Sequence, residues 1–370
     1  MAGFSRFTPL VQSLPATIPF VGPEAQERKS GKAFRARIGA NENGFGPAPS
    51  VQEHIRKAAG DVWKYADPEN FDLRAALADH LGLTPERIVV DGGVDTLLGL
   101  AVRQVVNEGT PVVSSLGAYP TFNYHVAGYG GRLITVPYLN DREDPDALLD
   151  AVKRENAAIV YLSNPDNPMG TWRDAETIAA FAAALPEDCL FVLDEAYGEM
   201  APKSALPPAD AFLDRPNIVR MRTFSKAYGL AGLRCGYAFG HPETIASFDK
   251  VRNHFGMNIL TQIAALEALR NQAYLVDVLG RIEASKDRIS AIVRANGLAS
   301  LPSATNFVTI DCGRDGAFAA AVLAALVERG VFVRMPGVEP LNRCIRVSAA
   351  PDDDIDIFEE ELPKALVAAS

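Results

Sequence analysis

The chain has 370 residues, 48% hydrophobic and 22% charged, with 46 acidic against 36 basic side chains and a net charge of −10. That length and balance describe a soluble protein with room for two domains, and the acidity argues against nucleic acid or an anionic membrane as partner. No apolar run approaches the ~20 residues needed to span a bilayer. The start, MAGFSRFTPLVQSLPATIPF, lacks the basic opening and apolar core of a signal peptide. Cys189, Cys235, Cys312 and Cys344 are scattered. They read as reduced core residues of a cytoplasmic protein, with no disulfide framework and no metal site.

Residues 1–40, rich in Pro, Gly and polar side chains, predict an arm with little regular structure of its own. PSVQEHIRKAAG and FDLRAALADHLG then have helical spacing, RIVV is a short strand, and VDTLLGLAVRQVV is a helix. PVVSS, RLITVPY, AAIVYLS and CLFVLD are apolar, β-branched runs with helices between them, and NIVRMRT and RCGYAFG continue the series. Buried runs separated by helices indicate an α/β domain with a mostly parallel sheet covered on both faces, placed at 41–245. After about residue 240 the texture changes. One helical region over 257–295 precedes NFVTID, the helix AFAAAVLAALVERG, the strands VFVRM and CIRVS, and a last helix, PDDDIDIFEEELPKAL. This predicts a smaller α+β domain over 246–370.

Ligands of parallel α/β sheets sit at the carboxyl ends of the strands. Four polar groups fall there. Asp194 closes CLFVLD, Asn167 follows AAIVYL in SNPDNPMG, Lys226 follows NIVRMRT, and a Gly92-Gly93-Val94-Asp95 turn follows RIVV. Each has an ordinary explanation: a helix cap, a turn former, a solvent-facing lysine, a common strand-to-helix turn that lacks the dinucleotide fingerprint. Together, in this order, they fit one cofactor.

The set resembles the fold type I pyridoxal-phosphate enzymes, and among them aminotransferases of the histidinol-phosphate group. ANENGFGPAPS, YADPENFDLRAALA, NPDNPMG, DEAY, TFSKAYGLAGLR, VFVR and CIRVS carry the resemblance over nearly the whole chain. It implies a large domain with a mostly parallel seven-stranded sheet and pyridoxal 5′-phosphate as cofactor. It implies that Lys226 binds the cofactor aldehyde and moves a proton, that Asp194 keeps the pyridine nitrogen protonated, and that Asn167 and Tyr197 bond the ring oxygen. The phosphate falls to the backbone of Gly93, Val94 and Asp95 at a helix N-terminus, to the hydroxyls of Thr223 and Ser225, and to Arg234. Tyr119 stacks on the ring, with an ordinary core tyrosine as the alternative. Tyr65 matches a tyrosine that reaches the partner's cofactor phosphate, which implies a homodimer with shared active sites. Arg346 matches the arginine that grips the substrate's acidic group, and its apolar flanks disfavour a surface ion pair. Arg334 is a second anion binder, and Asn41 and Asn43 either line the substrate entrance or form turns.

The pattern departs from the group at Phe20, where a tyrosine that contacts the substrate phosphate is usual, at Ala349 and at Thr96. The expected partners are therefore a small amino donor, either histidinol phosphate or an aromatic or other bulky amino acid, and 2-oxoglutarate as acceptor. A decarboxylase of the same fold stays open as the alternative activity. A DNA-binding regulator is disfavoured by the short N-terminal segment and the acidic charge.

Overall fold

The computed structural model describes residues 6–16 and 21–370. The leading segment is more ordered than its composition predicts. Helices form over Pro9–Ser13, capped by the Thr8 hydroxyl, and over Pro23–Ser30, each opening on a proline. A short strand, β1 (Ala36–Arg37), follows. Arg37 reaches back to Glu24 and Glu27 of the second helix and fixes it there.

Seven strands follow: β2 (Ile88–Asp91), β3 (Pro111–Ser115), β4 (Arg132–Val136), β5 (Ile159–Ser163), β6 (Leu190–Asp194), β7 (Ile218–Thr223) and β8 (Gly236–Gly240). They form one sheet in the order β2-β8-β7-β6-β5-β3-β4, parallel except for β8, which is antiparallel to both its neighbours. The central strands bury both faces, and successive side chains enter opposite cores. Ile159 and Tyr161 of β5 join the layer of Leu97, Leu98 and Phe122, whereas Val160 and Leu162 join that of Leu148, Ile178 and Phe181.

The remaining strands are β9 (Ala299–Ser300), β10 (Phe307–Asp311), β11 (Val331–Phe332) and β12 (Cys344–Ser348). β12-β10-β9 is an antiparallel sheet, and β11 pairs in parallel with β1. The strand expected over VFVRM is thus only two residues long. Beyond it, Arg334 meets β12 in a single bridge to Arg346.

The helices that follow residue 245 pack into both cores. The region 257–295 is two helices, Ile259–Arg270 and Gln272–Ala295, separated at Asn271, whose side chain caps the second by accepting from Tyr274 N–H. The first packs through Ala264, Ala265 and Leu269 against Leu73, Leu77 and Phe239 of the large unit, and Leu275 and Val278 of the second do the same. Farther along that second helix, Ile289, Ile292 and Val293 join the core around β10 and β12, together with Ala36 and Ile38. Among the described residues no helix is long and apolar enough to cross a membrane, and the four cysteines are buried and unpaired.

Glu195, one residue past β6, anchors the end of this sheet. Its carboxylate accepts from Arg220 Nε and Nη2 at 3.0 and 2.7 Å and from Arg222 Nε at 2.9 Å; Glu195 and Arg220 are fully buried and Arg222 is partly so. Removing one partner of such a group leaves uncompensated buried charge. Glu195→Ala is expected to lower stability by about 3–5 kcal/mol in urea unfolding, well beyond the effect of Glu155→Ala on the exposed pairs with Arg132 and Arg154.

Candidate active site

The parallel register brings the strand ends level. Ser163 at the end of β5 pairs with Asp194 at the end of β6, and Asp194 pairs with Met221 of β7. Lys226 stands three residues beyond β7, and the helix Val94–Val105 starts just after β2. A cavity of about 230 Å³ opens among these ends, lined by Lys226, Asp194, Tyr197, Asn167, Tyr119 and Arg234, with Val94, Asp95, Thr223 and Ser225 on its floor.

Lys226 Nζ donates to the Asn41 carbonyl at 3.1 Å and lies 5.7 Å from the centre of the Tyr197 ring. Burial, assisted by the Arg346 cation, depresses the amine to about 8. Asp194 accepts from the Tyr161 hydroxyl at 2.8 Å and from Ala196 N–H at 2.9 Å. Burial raises its carboxyl to about 6, tempered by those hydrogen bonds. Both of its bonding partners are neutral, so it faces the cavity ready for a cation. Burial also pushes the Tyr197 phenol up to about 12, and its oxygen receives Asn41 Nδ2 at 2.9 Å and Asn167 Nδ2 at 3.4 Å.

Opposite lies an anion cup. Gly93 takes φ +93° ahead of the helix, leaving its N-terminus without a side-chain cap. A Cβ at Gly93 would come within 2.7 Å of Arg234 Nη2. Arg234 donates to Ser225 Oγ at 3.3 Å and Asp95 Oδ2 at 3.4 Å, and Tyr119 donates to Asp95 Oδ1 at 2.9 Å. Thr223 donates to the Cys235 carbonyl at 3.2 Å and accepts from Ser225 N–H at 3.0 Å.

Two guanidiniums close the outer side. Arg346 donates to Asn167 Oδ1, lies 5.0 Å from the Phe307 ring and leaves its buried Nε unpartnered. Arg334 donates to the Val21 carbonyl at 3.3 Å and lines, with Arg346 and Tyr119, the space leading to Lys226.

Three of the expected site residues are not among those lining this cavity. Asn43 does not line the cavity: its amide donates to the Ala227 carbonyl at 3.0 Å and accepts from Phe45 N–H at 3.1 Å, so it shapes the loop beside Lys226. Tyr65 lies outside this cavity, 83% exposed, with its ring 5.1 Å from that of Phe255. Phe20 lies outside the described residues. The structure adds Tyr161 as the donor to Asp194, and Asn306, whose Nδ2 donates to the Asn41 carbonyl at 2.9 Å. A tyrosine inside the otherwise aliphatic run AAIVYLS was the available signal, since a buried phenol needs a polar partner.

A buried amine, a carboxylate without a cationic partner and an uncapped helix N-terminus with an arginine fit an aldehyde, a protonated ring nitrogen and a phosphate. On this sheet they define a fold type I enzyme dependent on pyridoxal phosphate. Residues 37–362 match the family model for aminotransferase class I and II. The chain belongs to that family, which places amino transfer ahead of the decarboxylation left open by the sequence. It is 35% identical over 338 residues to histidinol-phosphate aminotransferase 2 of Methylococcus capsulatus, covering 90% of each chain. It is 33% identical over 357 residues to histidinol-phosphate aminotransferase 1 of Nitrosococcus oceani, covering 96% of this chain and 95% of that one. The crystal structure of the histidinol-phosphate aminotransferase from Sinorhizobium meliloti with pyridoxal-5′-phosphate superposes with a TM-score of 0.97 at 59% identity, over 100% of both chains.

The depressed lysine gives a test that needs no turnover. A charged Lys226 costs the folded, cofactor-free protein stability, in full below pH 8 and not at all well above 10.5, where both states hold a neutral amine. Lys226→Met is expected to stabilise the cofactor-free protein by roughly 1–3 kcal/mol at pH 7 in urea unfolding, with the gain closing across that window.

Proposed function

We propose that the chain moves the amino group of histidinol phosphate to 2-oxoglutarate. The observation that carries this is the pair of guanidiniums, Arg334 and Arg346, on the side of the cavity opposite the anion cup. The acceptor 2-oxoglutarate brings two carboxylates and the donor brings a phosphate, so a cleft serving both needs two cations in reach of one amine. The near full-length similarity to histidinol-phosphate aminotransferases supports the donor. Phe20, which keeps an aromatic donor in view, lies outside the described residues.

Bound pyridoxal phosphate supplies the electron sink that makes the substrate's α-proton removable. The protein's part is positional and electrostatic. Asp194 would hold a proton on the pyridine nitrogen, Asn167 and Tyr197 would orient the ring oxygen, and Tyr119 would cover a ring face. Gly93, Val94, Asp95, Thr223, Ser225 and Arg234 would cradle the phosphate. Lys226 would hold the aldehyde until the substrate's amine displaces it, and the freed Nζ would then take the α-proton and return it; an amine of pKa about 8 is well matched to that exchange.

Assayed with 2-oxoglutarate, kcat/KM for histidinol phosphate is expected to exceed that for phenylalanine by at least about tenfold, and Arg334→Ala to cut it roughly 10- to 100-fold while harming phenylalanine less. A preference for phenylalanine overturns the donor and favours an aromatic substrate.

The protein works as a cytoplasmic homodimer with Tyr65 serving the partner's cofactor phosphate. Val62, Trp63, Tyr65, Phe71 and Phe255 are exposed apolar side chains, with the Tyr65 and Phe255 rings 5.1 Å apart, which suits such an interface, and the unpaired cysteines suit a reducing compartment. Mixed chains of Lys226→Ala and Tyr65→Ala, each inactive or weak alone, are expected to regain roughly a quarter of wild-type activity, since half the dimers carry one complete site. A monomer active at assay concentration overturns this arrangement.

A further inference from the structure

Behind the cavity wall lies a pair of buried acids that this chemistry does not use. Glu143 stands two residues before the helix Pro145–Glu155, and Asp166 lies in the loop after β5; they are 3% and 2% exposed. Ser163, the register neighbour of Asp194, sits between them. Its hydroxyl oxygen is 2.8 Å from Glu143 Oε1 and 3.2 Å from Asp166 Oδ1. The other side-chain hydrogen bonds come from neutral donors. Ser115 donates to Glu143 Oε2 at 2.7 Å, Ser163 N–H to Oε1 at 2.8 Å, Tyr138 to Asp166 Oδ1 at 2.8 Å and Met169 N–H to Oδ2 at 2.9 Å.

A serine hydroxyl carries one hydrogen. Whichever carboxylate receives it, the other contact sets lone pair against lone pair unless that carboxyl supplies a hydrogen of its own. The charged groups nearby do not remove the conflict. Arg173 directs Nε to the backbone oxygen of Glu143 at 2.8 Å, Arg346 is engaged by Asn167 and acts on Asp166 only through space, and Tyr161 is turned to Asp194. Two negative charges at this depth, with no cation bonded to either carboxylate, are strongly disfavoured.

We propose that Glu143 and Asp166 hold one proton between them across Ser163, and that this pair positions the loop that presents Asn167 to the cavity. With Glu143 Oε1–H donating to Ser163 Oγ, and Ser163 Oγ–H to Asp166 Oδ1, every donor in the cluster meets an acceptor. Asp166 is tied at its backbone as well, by its N–H to Thr171 O at 2.8 Å and by its carbonyl, which accepts from Gly170 N–H at 3.1 Å. The cluster therefore fixes the residue next to Asn167 on both sides. Burial, with the neighbouring carboxylate, pushes Glu143 up to about 8, and burial pushes Asp166 up to about 6.

The variant Asp166→Asn tests this. Its Nδ2 can donate to Ser163 Oγ and to the Tyr138 oxygen while Oδ1 keeps Met169 N–H, so the network no longer needs the shared proton. A carboxyl whose folded pKa is raised loses stability as pH climbs from its unfolded value of 4.5 through about 8. In cofactor-loaded protein, the melting temperature of Asp166→Asn relative to wild type is expected to rise by roughly 3 °C or more between pH 5 and pH 8 and then to level off. The ratio of kcat, variant to wild type, should rise between pH 7 and 9, a comparison in which the titration of Lys226 cancels. Glu143→Gln, which carries its hydrogens permanently, should show the same widening gap to wild type and stands in if Asp166→Asn misfolds. A melting gap constant from pH 5 to 8 in both variants, or failure of both to fold, overturns the shared proton. A widening gap with an unchanged kcat ratio overturns the positioning role.

Discussion

The fork of Arg220 and Arg222 around Glu195 is the contact on which the rest of the structure turns. It ties the first residue past β6 to the strand β7 that leads to Lys226. Glu195 N–H also bonds the Met221 carbonyl at 2.8 Å, so backbone and side chain close the same seam. Buried ion pairs add little net stability relative to an apolar pair, but a half-made one is severely unfavourable. The arrangement therefore penalises slippage between β6 and β7, and with it any change in the relation of Asp194 to Lys226.

Two neighbouring carboxylates meet opposite fates in that seam. Glu195 is enclosed by guanidinium, whereas Asp194, one residue earlier, has only a phenol and an amide N–H. Side chains alternate across a strand, so consecutive acids at a strand end face different layers. One faces the arginines of β7, and the other faces the cavity. The cavity thus holds an acid whose proton affinity is raised and an amine whose proton affinity is lowered, both because water is excluded. The amine is thereby poised to accept a proton, and the carboxylate, short of a cationic partner, gains most from a protonated ring nitrogen beside it.

Much of this was legible in the sequence because the informative residues are tied to periodic elements. Asp194, Lys226 and the Gly93 turn could be placed from the ends of β-branched runs, and the six parallel strands from their length and burial pattern. What escaped depended on contacts between distant segments. Tyr161 looked like one more core residue, because only the β5–β6 register sets its hydroxyl beside Asp194. Asn43 could be read as a cleft residue or a turn former, because the Ala227 carbonyl that holds it lies 184 positions away. The break at Asn271 has no proline or glycine to mark it, and the cap that makes it is a local hydrogen bond without a strong composition signal. VFVRM reads as five strand residues, yet its neighbour β1 offers a ladder of only two.

The helix Gln272–Ala295 contributes Leu275 and Val278 to one core and Ile289, Ile292 and Val293 to another. It is therefore a ruler as well as a packing element. Each residue advances a helix by ~1.5 Å and turns it by about 100°. Adding one residue between Val278 and Ile289 would swing every later apolar side chain out of its core. The span from the sheet bearing Lys226 to the sheet bearing Arg346 is thus quantised by whole turns. Substitution can readily alter the side chains on the cleft walls, but insertion into this helix cannot gradually widen the cleft itself.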